Sequence, residues 1–198
     1  MEMSAATTTQ EHPIRLSVTD DLQRNRLTVF FRLILAIPHI IWVSLWGVVT
    51  LLALIVAWFA ALFTGRVPDG LHTFMAGFLR YATHVRAYVT LLADPFPGFG
   101  GKQGYPIDLD VDPPQDQSRL TVLFRLILAI PALFVTNILS NLSQLLAIFS
   151  WVAALVLGRV PEGLRNFGAL ALRFETQTYG YVLLLTGRYP NFNIGLSA

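Results

Sequence analysis

The stretch Arg26-Leu-Thr-Val-Phe-Phe-Arg-Leu-Ile-Leu-Ala-Ile-Pro38 returns 93 positions later as Arg119-Leu-Thr-Val-Leu-Phe-Arg-Leu-Ile-Leu-Ala-Ile-Pro131. Shifting the whole chain by that interval pairs residues 12–99 with 105–192 without a gap, and 39 of the 88 pairs are identical. Identity at that level marks an internal duplication, so the fold is decided by one unit of about 90 residues used twice. A second block, Gly65-Arg-Val-Pro-Asp-Gly-Leu71, matches Gly158-Arg-Val-Pro-Glu-Gly-Leu164, and Trp58, Arg80 and Tyr88 fall on Trp151, Arg173 and Tyr181. The chain divides into a polar tail (1–12), a first repeat (13–99), a glycine-rich linker (100–104), a second repeat (105–192) and a short tail (193–198).

Each unit opens on an alternating stretch, Pro13-Ile-Arg-Leu-Ser-Val18 or Pro106-Ile-Asp-Leu-Asp-Val111. Apolar residues at every second position predict a brief strand; a polar extended arm fits the same residues. A long apolar segment follows, in which His39 is the only ionisable residue between Leu33 and Phe63. As one straight helix those residues would reach about 46 Å, against a hydrocarbon core of about 30 Å. A break is therefore expected, and two positions suit it. Pro38 can kink or start the helix, leaving one crossing. Alternatively the segment turns near Ser44–Thr50 into a hairpin of two crossings. The second copy carries Asn137, Ser140, Asn141, Ser143 and Gln144 at the matching place, and Asn and Ser favour turns; interhelical hydrogen bonding within a bundle accounts for them equally.

After the Gly65–Gly70 turn, Phe74, Phe78, Tyr81, Val85, Tyr88 and Leu92 recur at helical spacing and predict an amphipathic helix. Such a helix either lies in the interface or crosses with its polar side inward. The expected fold class is an all-α membrane protein of two tandem repeats, with four membrane crossings, parallel repeats and short strands outside the bilayer.

Composition agrees with a lipid-facing surface. Hydrophobic residues make up 54% of the chain and charged residues 13%, about half the share usual in soluble domains. A net charge of +2 is too small for a nucleic-acid footprint. Cysteine is absent, which excludes disulfides, thiolate metal sites and cysteine nucleophiles. The first ten residues lack the basic and apolar regions of a signal peptide. A multi-pass protein of the cell membrane with a cytoplasmic N-terminus is the expectation.

The order of an arginine-rich lead, Leu35-Ala-Ile-Pro38, a long apolar run, Gly65-Arg-Val-Pro-Asp-Gly-Leu71, an arginine-bearing helix and a closing Tyr189-Pro-Asn-Phe192 resembles a bacterial membrane family described only as a domain of unknown function. The resemblance covers both repeats, although the first closes on Phe96-Pro-Gly-Phe99 instead. It implies a membrane protein and no particular activity.

Arg80 and Arg173, partway along apolar helices, are candidate contacts for anionic lipid or an anionic solute, since an arginine there must pair, reach headgroups or line a polar cavity. A snorkelling interfacial arginine is the plainer reading. Arg32 and Arg125 are expected to anchor the long segments at headgroup level. Asn137, Ser140, Asn141, Ser143 and Gln144 form a candidate intramembrane polar cluster. Glu175 is placed to pair across the repeats with Arg80. The four histidines do not cluster with acids at metal-ligand spacing, no cofactor is expected, and no Ser/His/Asp set or paired carboxylates suggest catalysis. The expected partners are the bilayer and either further copies of the chain or another membrane complex. A non-enzymatic scaffold, assembly or lipid-organising subunit is one functional expectation; a small oligomeric transporter or channel for a polar or anionic solute is the other.

Overall fold

A computed structural model describes residues 12–192. The 193–198 tail, and the tail before His12, lie outside the described residues. His12 itself belongs to the fold: it is buried, and its Nδ1 lies 3.1 Å from both the backbone N and O of Ile14.

The elements repeat in order. β1 (Ile14–Val18) leads to α1 (Arg26–Thr64) and α2 (Asp69–Val89); β2 (Ile107–Val111) leads to α3 (Arg119–Leu123), α4 (Arg125–Leu157) and α5 (Glu162–Val182). Asn25 starts α1 as an N-cap, its side chain accepting from Leu27 N and Thr28 N, a device that satisfies otherwise orphaned donors. Gly65 and Gly158 close α1 and α4 in the left-handed conformation, φ 82° and 70°, where a glycine has no Cβ to clash.

The long segment is not a hairpin. α1 runs unbroken through Ser44–Thr50 and through Pro38, and α4 passes through Asn137–Gln144 and Pro131. Helical neighbours supply what a turn would otherwise provide: Ser44 donates to Ile40 O, and Asn141 donates to Asn137 Oδ1 four residues back. The one interruption lies at Phe124, between α3 and α4, where the first copy has none.

The strands pair, antiparallel, with Leu16 opposite Leu109. Those two residues are equivalents 93 positions apart, so an approximate two-fold axis passes between them. Other contacts obey the same axis. Trp58 Nε1 donates to Val122 O and Trp151 Nε1 donates to Val29 O, both at 3.0 Å. Arg24 N donates to Gly158 O, and Gln117 N to Gly65 O. The start of each long helix thus touches the end of the other. Val29 and Trp58 are separated by about 43 Å of helix, so joining both ends sets α1 and α4 antiparallel. The two long helices therefore run in opposite directions about an axis perpendicular to both.

Three layers result. The strand pair packs on α2 and α5. Its inner face carries Ile14, Leu16, Ile107 and Leu109, and its outer face bears Arg15, Ser17 and Asp110, the alternation a half-buried sheet requires; Asp108 is largely covered and turns to His84 of α2. Arg15 Nη2 sits 2.6 Å from Asp110 and 2.7 Å from Asp112. α2 and α5 form the middle layer and hold most of the core, including Met75, Leu79, Tyr81, Leu172 and Phe174. α1 and α4 form the third layer. Each buries one narrow stripe (Val29, Arg32, Ala36, His39, Thr50, Ala57 and Ala61 in α1) and exposes Leu33, Ile34, Ile41, Leu52, Val56, Ile127, Phe134, Phe149 and many like them. So large an apolar exposure is foreign to a water-facing surface. These two helices are long and apolar enough to cross a membrane; four crossings would need α2 and α5 as well, and they carry more polar residues and bury about half of their residues inside the fold.

Gly101 in the linker has φ 59°, and a Cβ there would stand 3.0 Å from Tyr81 Cβ. The linker is therefore packed against α2, and the glycine is required by both backbone and space.

Candidate functional site

Arg32 and Arg125 are not headgroup anchors. Both are 1% exposed. Each reaches from the start of a long helix to the end of the shorter helix of its own repeat. Arg32 Nη1 donates to Tyr88 O and Ala93 O, and Nη2 binds the Asp94 carboxylate at 2.7 Å. Arg125 Nη1 donates to Tyr181 O and Thr186 O, and its Nη2 bonds Gln117 Oε1. The guanidiniums lie over the rings of Tyr88 and Tyr181 at 4.4 and 4.1 Å. A helix C-terminus presents carbonyls with no helical partner and a negative dipole end; a buried planar cation with several donors answers both. The chain then turns through Leu91 and Leu184, at φ 63° and 60°.

Arg80 and Arg173 occupy the other side of the middle layer, under the strands. Arg80 Nε donates to Leu109 O at 2.8 Å and lies 3.8 Å from Asp108. Asp108 also takes His84 Nε2 at 2.8 Å, with the His84 ring stacked on Tyr105. Burial dominates there and holds the His84 pKa below its ordinary 6.5. Arg173 is half-buried and lines a shallow hollow with Leu16, Val18, Asn166 and Phe167.

The polar cluster of α4 divides. Asn137 and Asn141 are exposed and bond each other; Ser143 is buried. Ser140 Oγ donates to Glu175 Oε2 at 2.7 Å. Glu175 Oε2 lies 3.7 Å from Arg86 Nε, and both side chains are largely covered. The cross-repeat partner of Glu175 is thus Arg86, not Arg80, because Arg80 points to the strands. Burial, and then the Glu175 carboxylate, raise the Tyr179 pKa above its ordinary 10.0.

Arg86 went unmarked by sequence reasoning, yet a signal was present. Its equivalent is Tyr179; those of Glu175, Ser140 and Gln144 are Ala82, Gly47 and Leu51. The residues that meet here are positions where the copies differ in polarity.

Arg86 and Gln144 open onto a cavity of about 350 Å³, otherwise walled by Arg32, Leu33, Val89, Thr90, Leu91, Ala147, Ile148 and Trp151. It lies where α1, α2 and α4 meet. Among the described residues the Arg86 guanidinium makes no hydrogen bond, its Nε standing 3.7 Å from Glu175 Oε2. Its volume falls at the lower end of small-molecule sites. Among the described residues no three His, Asp or Glu side chains gather as metal ligands.

The family model for a domain of unknown function, DUF4389, matches twice, over residues 26–100 and 119–193. Each match begins at the arginine-rich lead and covers one long helix with its shorter partner. The chain belongs to that family. No curated protein and no solved structure matches it.

Proposed function

We propose that this tandem DUF4389 protein is a non-enzymatic, lipid-organising membrane protein that lies in one leaflet instead of crossing the bilayer. One observation carries the reading: the charged strand pair sits on the two-fold axis, across the middle layer from the apolar faces of α1 and α4. That axis is perpendicular to both long helices. If they crossed, the axis would lie in the membrane plane and place Arg15, Asp108 and Asp110 at mid-depth. Two strands with open edges would then face hydrocarbon, where unsatisfied backbone groups are not tolerated. With the axis along the membrane normal, the strands face water, α2 and α5 lie at headgroup depth, and α1 and α4 rest among the acyl chains.

Length supports the same orientation. α1 has 39 residues and measures about 58 Å, nearly twice the hydrocarbon thickness; lying flat removes the mismatch. Exposed arginines mark both ends of the embedded pair, Arg26 with Arg159 at one and Arg66 with Arg119 at the other. On one leaflet all four reach headgroup phosphate. A basic rim favours the cytoplasmic leaflet.

Cysteine accessibility tests this on the natively cysteine-free chain. Single cysteines at Arg26, Arg66, Ser17 and Asp110 are expected to react with an impermeant reagent from the same side. Reaction of Arg26→Cys and Arg66→Cys from opposite sides would establish crossing. Saturable solute flux in proteoliposomes would favour the transporter reading.

A further inference from the structure

We infer that the cavity at Arg86 is a binding site for one anionic phospholipid of the surrounding leaflet, an inference that rests on the in-leaflet reading. The cavity is bounded on one side by α1 (Arg32, Leu33) and on the other by α4 (Gln144, Ala147, Ile148, Trp151), with α2 (Arg86, Val89, Thr90) as its floor. α1 and α4 belong to the acyl layer and α2 to the headgroup layer. A lipid entering between the long helices therefore brings its phosphate to α2 while its chains stay among apolar side chains, with no inversion of its normal orientation.

The polar groups suit that ligand. The Arg86 side chain is 28% exposed, and among the described residues no hydrogen bond is made by its terminal nitrogens. Glu175 stands off from it at 3.7 Å and is tethered by Ser140. A guanidinium held loosely by its own carboxylate keeps donors free for phosphate, which it binds bidentately. Gln144 uses its Nε2 on Ser140 O at 3.3 Å, leaving its carbonyl oxygen for a headgroup hydroxyl. Thr90 is occupied, donating to Arg86 O. Asn137, Asn141 and Gln144 follow one another along α4 at helical spacing, so a polar track leads away from the cavity toward the middle of the helix.

The site is confined to one half. At the symmetry-related positions Tyr179 replaces Arg86, Leu51 replaces Gln144 and Leu183 replaces Thr90. That half keeps Arg125, whose guanidinium is spent on Tyr181 O, Thr186 O and Gln117, but has no counterpart of Arg86, and one lipid per chain follows.

The test uses the full chain in nanodiscs of phosphatidylcholine with phosphatidylglycerol, followed by extraction into mild detergent and native mass spectrometry of retained lipid. One phosphatidylglycerol per chain is expected. Arg86→Gln should lower its retention by about tenfold, the loss expected of one charge-assisted bidentate contact. Glu175→Gln should raise retention by removing the competing carboxylate. Leu33→Trp, which fills the cavity without altering charge, should expel the lipid and keeps the test decisive if Arg86→Gln fails to fold. Equal retention by wild type and Leu33→Trp overturns the site. So does equal retention of phosphatidylcholine, or displacement of the phospholipid by free fatty acid alone. Loss of membrane association in the wild type would instead sink the in-leaflet reading, which the cysteine labelling detects separately.

Discussion

Trp151 donates its indole hydrogen to the carbonyl of Val29 across the repeat boundary at 3.0 Å. Val29 lies in the first turn of α1 and Trp151 in the last turns of α4, so the bond pins one helix's beginning to the other's end. Its symmetry mate, Trp58 to Val122, does the same at the opposite end.

Replacing either tryptophan with phenylalanine removes one such bond and some packing. Each change should cost about 1 kcal/mol in a denaturation series. The double variant should lose about the sum, because the two sites stand far enough apart to be independent. A cost well above the sum would mean that the two ends loosen together.

Arg32→Lys and Arg125→Lys should each destabilise by about 3 kcal/mol, since a single ammonium cannot serve two carbonyls and a side-chain oxygen while stacking on tyrosine. Asp94→Asn should cost less, as the Asp94 carboxylate is itself part-exposed. Thermal melts in detergent measure all three. Lysine variants as stable as wild type would remove the arginines from their place as helix-end caps.

Gly180→Ala tests the fit of β1 on α5. An added Cβ would stand 1.9 Å from Ile14 Cδ1, in a fully buried position. A loss of about 2 kcal/mol is expected from overpacking. Ile14→Val deletes the offending methyl, so the pair of changes should be less damaging than their sum.

Acid should weaken the folded chain. His12, His72 and His84 are all held below their ordinary 6.5, chiefly by burial. A depressed histidine binds its proton more readily when unfolded, so the stability it contributes is present above about pH 6.5 and is lost as pH falls through the folded pKa. Melting temperatures taken from pH 8 to pH 5 should decline below that point, and His84→Gln should blunt the decline. A flat profile would contradict the burial of these rings.

Much of one unit was legible because its signals are local. The alternation at Ile14–Val18, the 3.6-residue stripe of α2 and the Gly65 stop each depend on neighbours in the chain. What could not be read locally was the relation between units. The antiparallel setting of the two long helices arises from contacts such as Leu16 with Leu109, which no periodicity encodes. Arg32 looked like a headgroup anchor because its neighbours are apolar on both sides; its acceptors, Tyr88 O and Ala93 O, lie more than 50 residues away. The hairpin was suggested by Asn and Ser, whose turn preference yields when hydrogen bonds one helical turn back are available, as from Ser44 to Ile40. Arg86 carries no repeat signal, because its equivalent in the second copy is Tyr179.

The strand pair also bears on how such a chain is assembled. Half of this molecule, taken alone, would have an unpartnered strand, a tryptophan with no carbonyl to cap and a long helix open at both ends. A protein carrying one unit would therefore have to meet a second copy of itself about the same axis. In that homodimer every substitution appears twice, and an arginine introduced on one side arrives on the other as well. Joining the halves in one polypeptide releases them from that constraint. Arg86 and Glu175 are an ion pair that a symmetric ancestor would have had to form in duplicate, and the single chain holds only one.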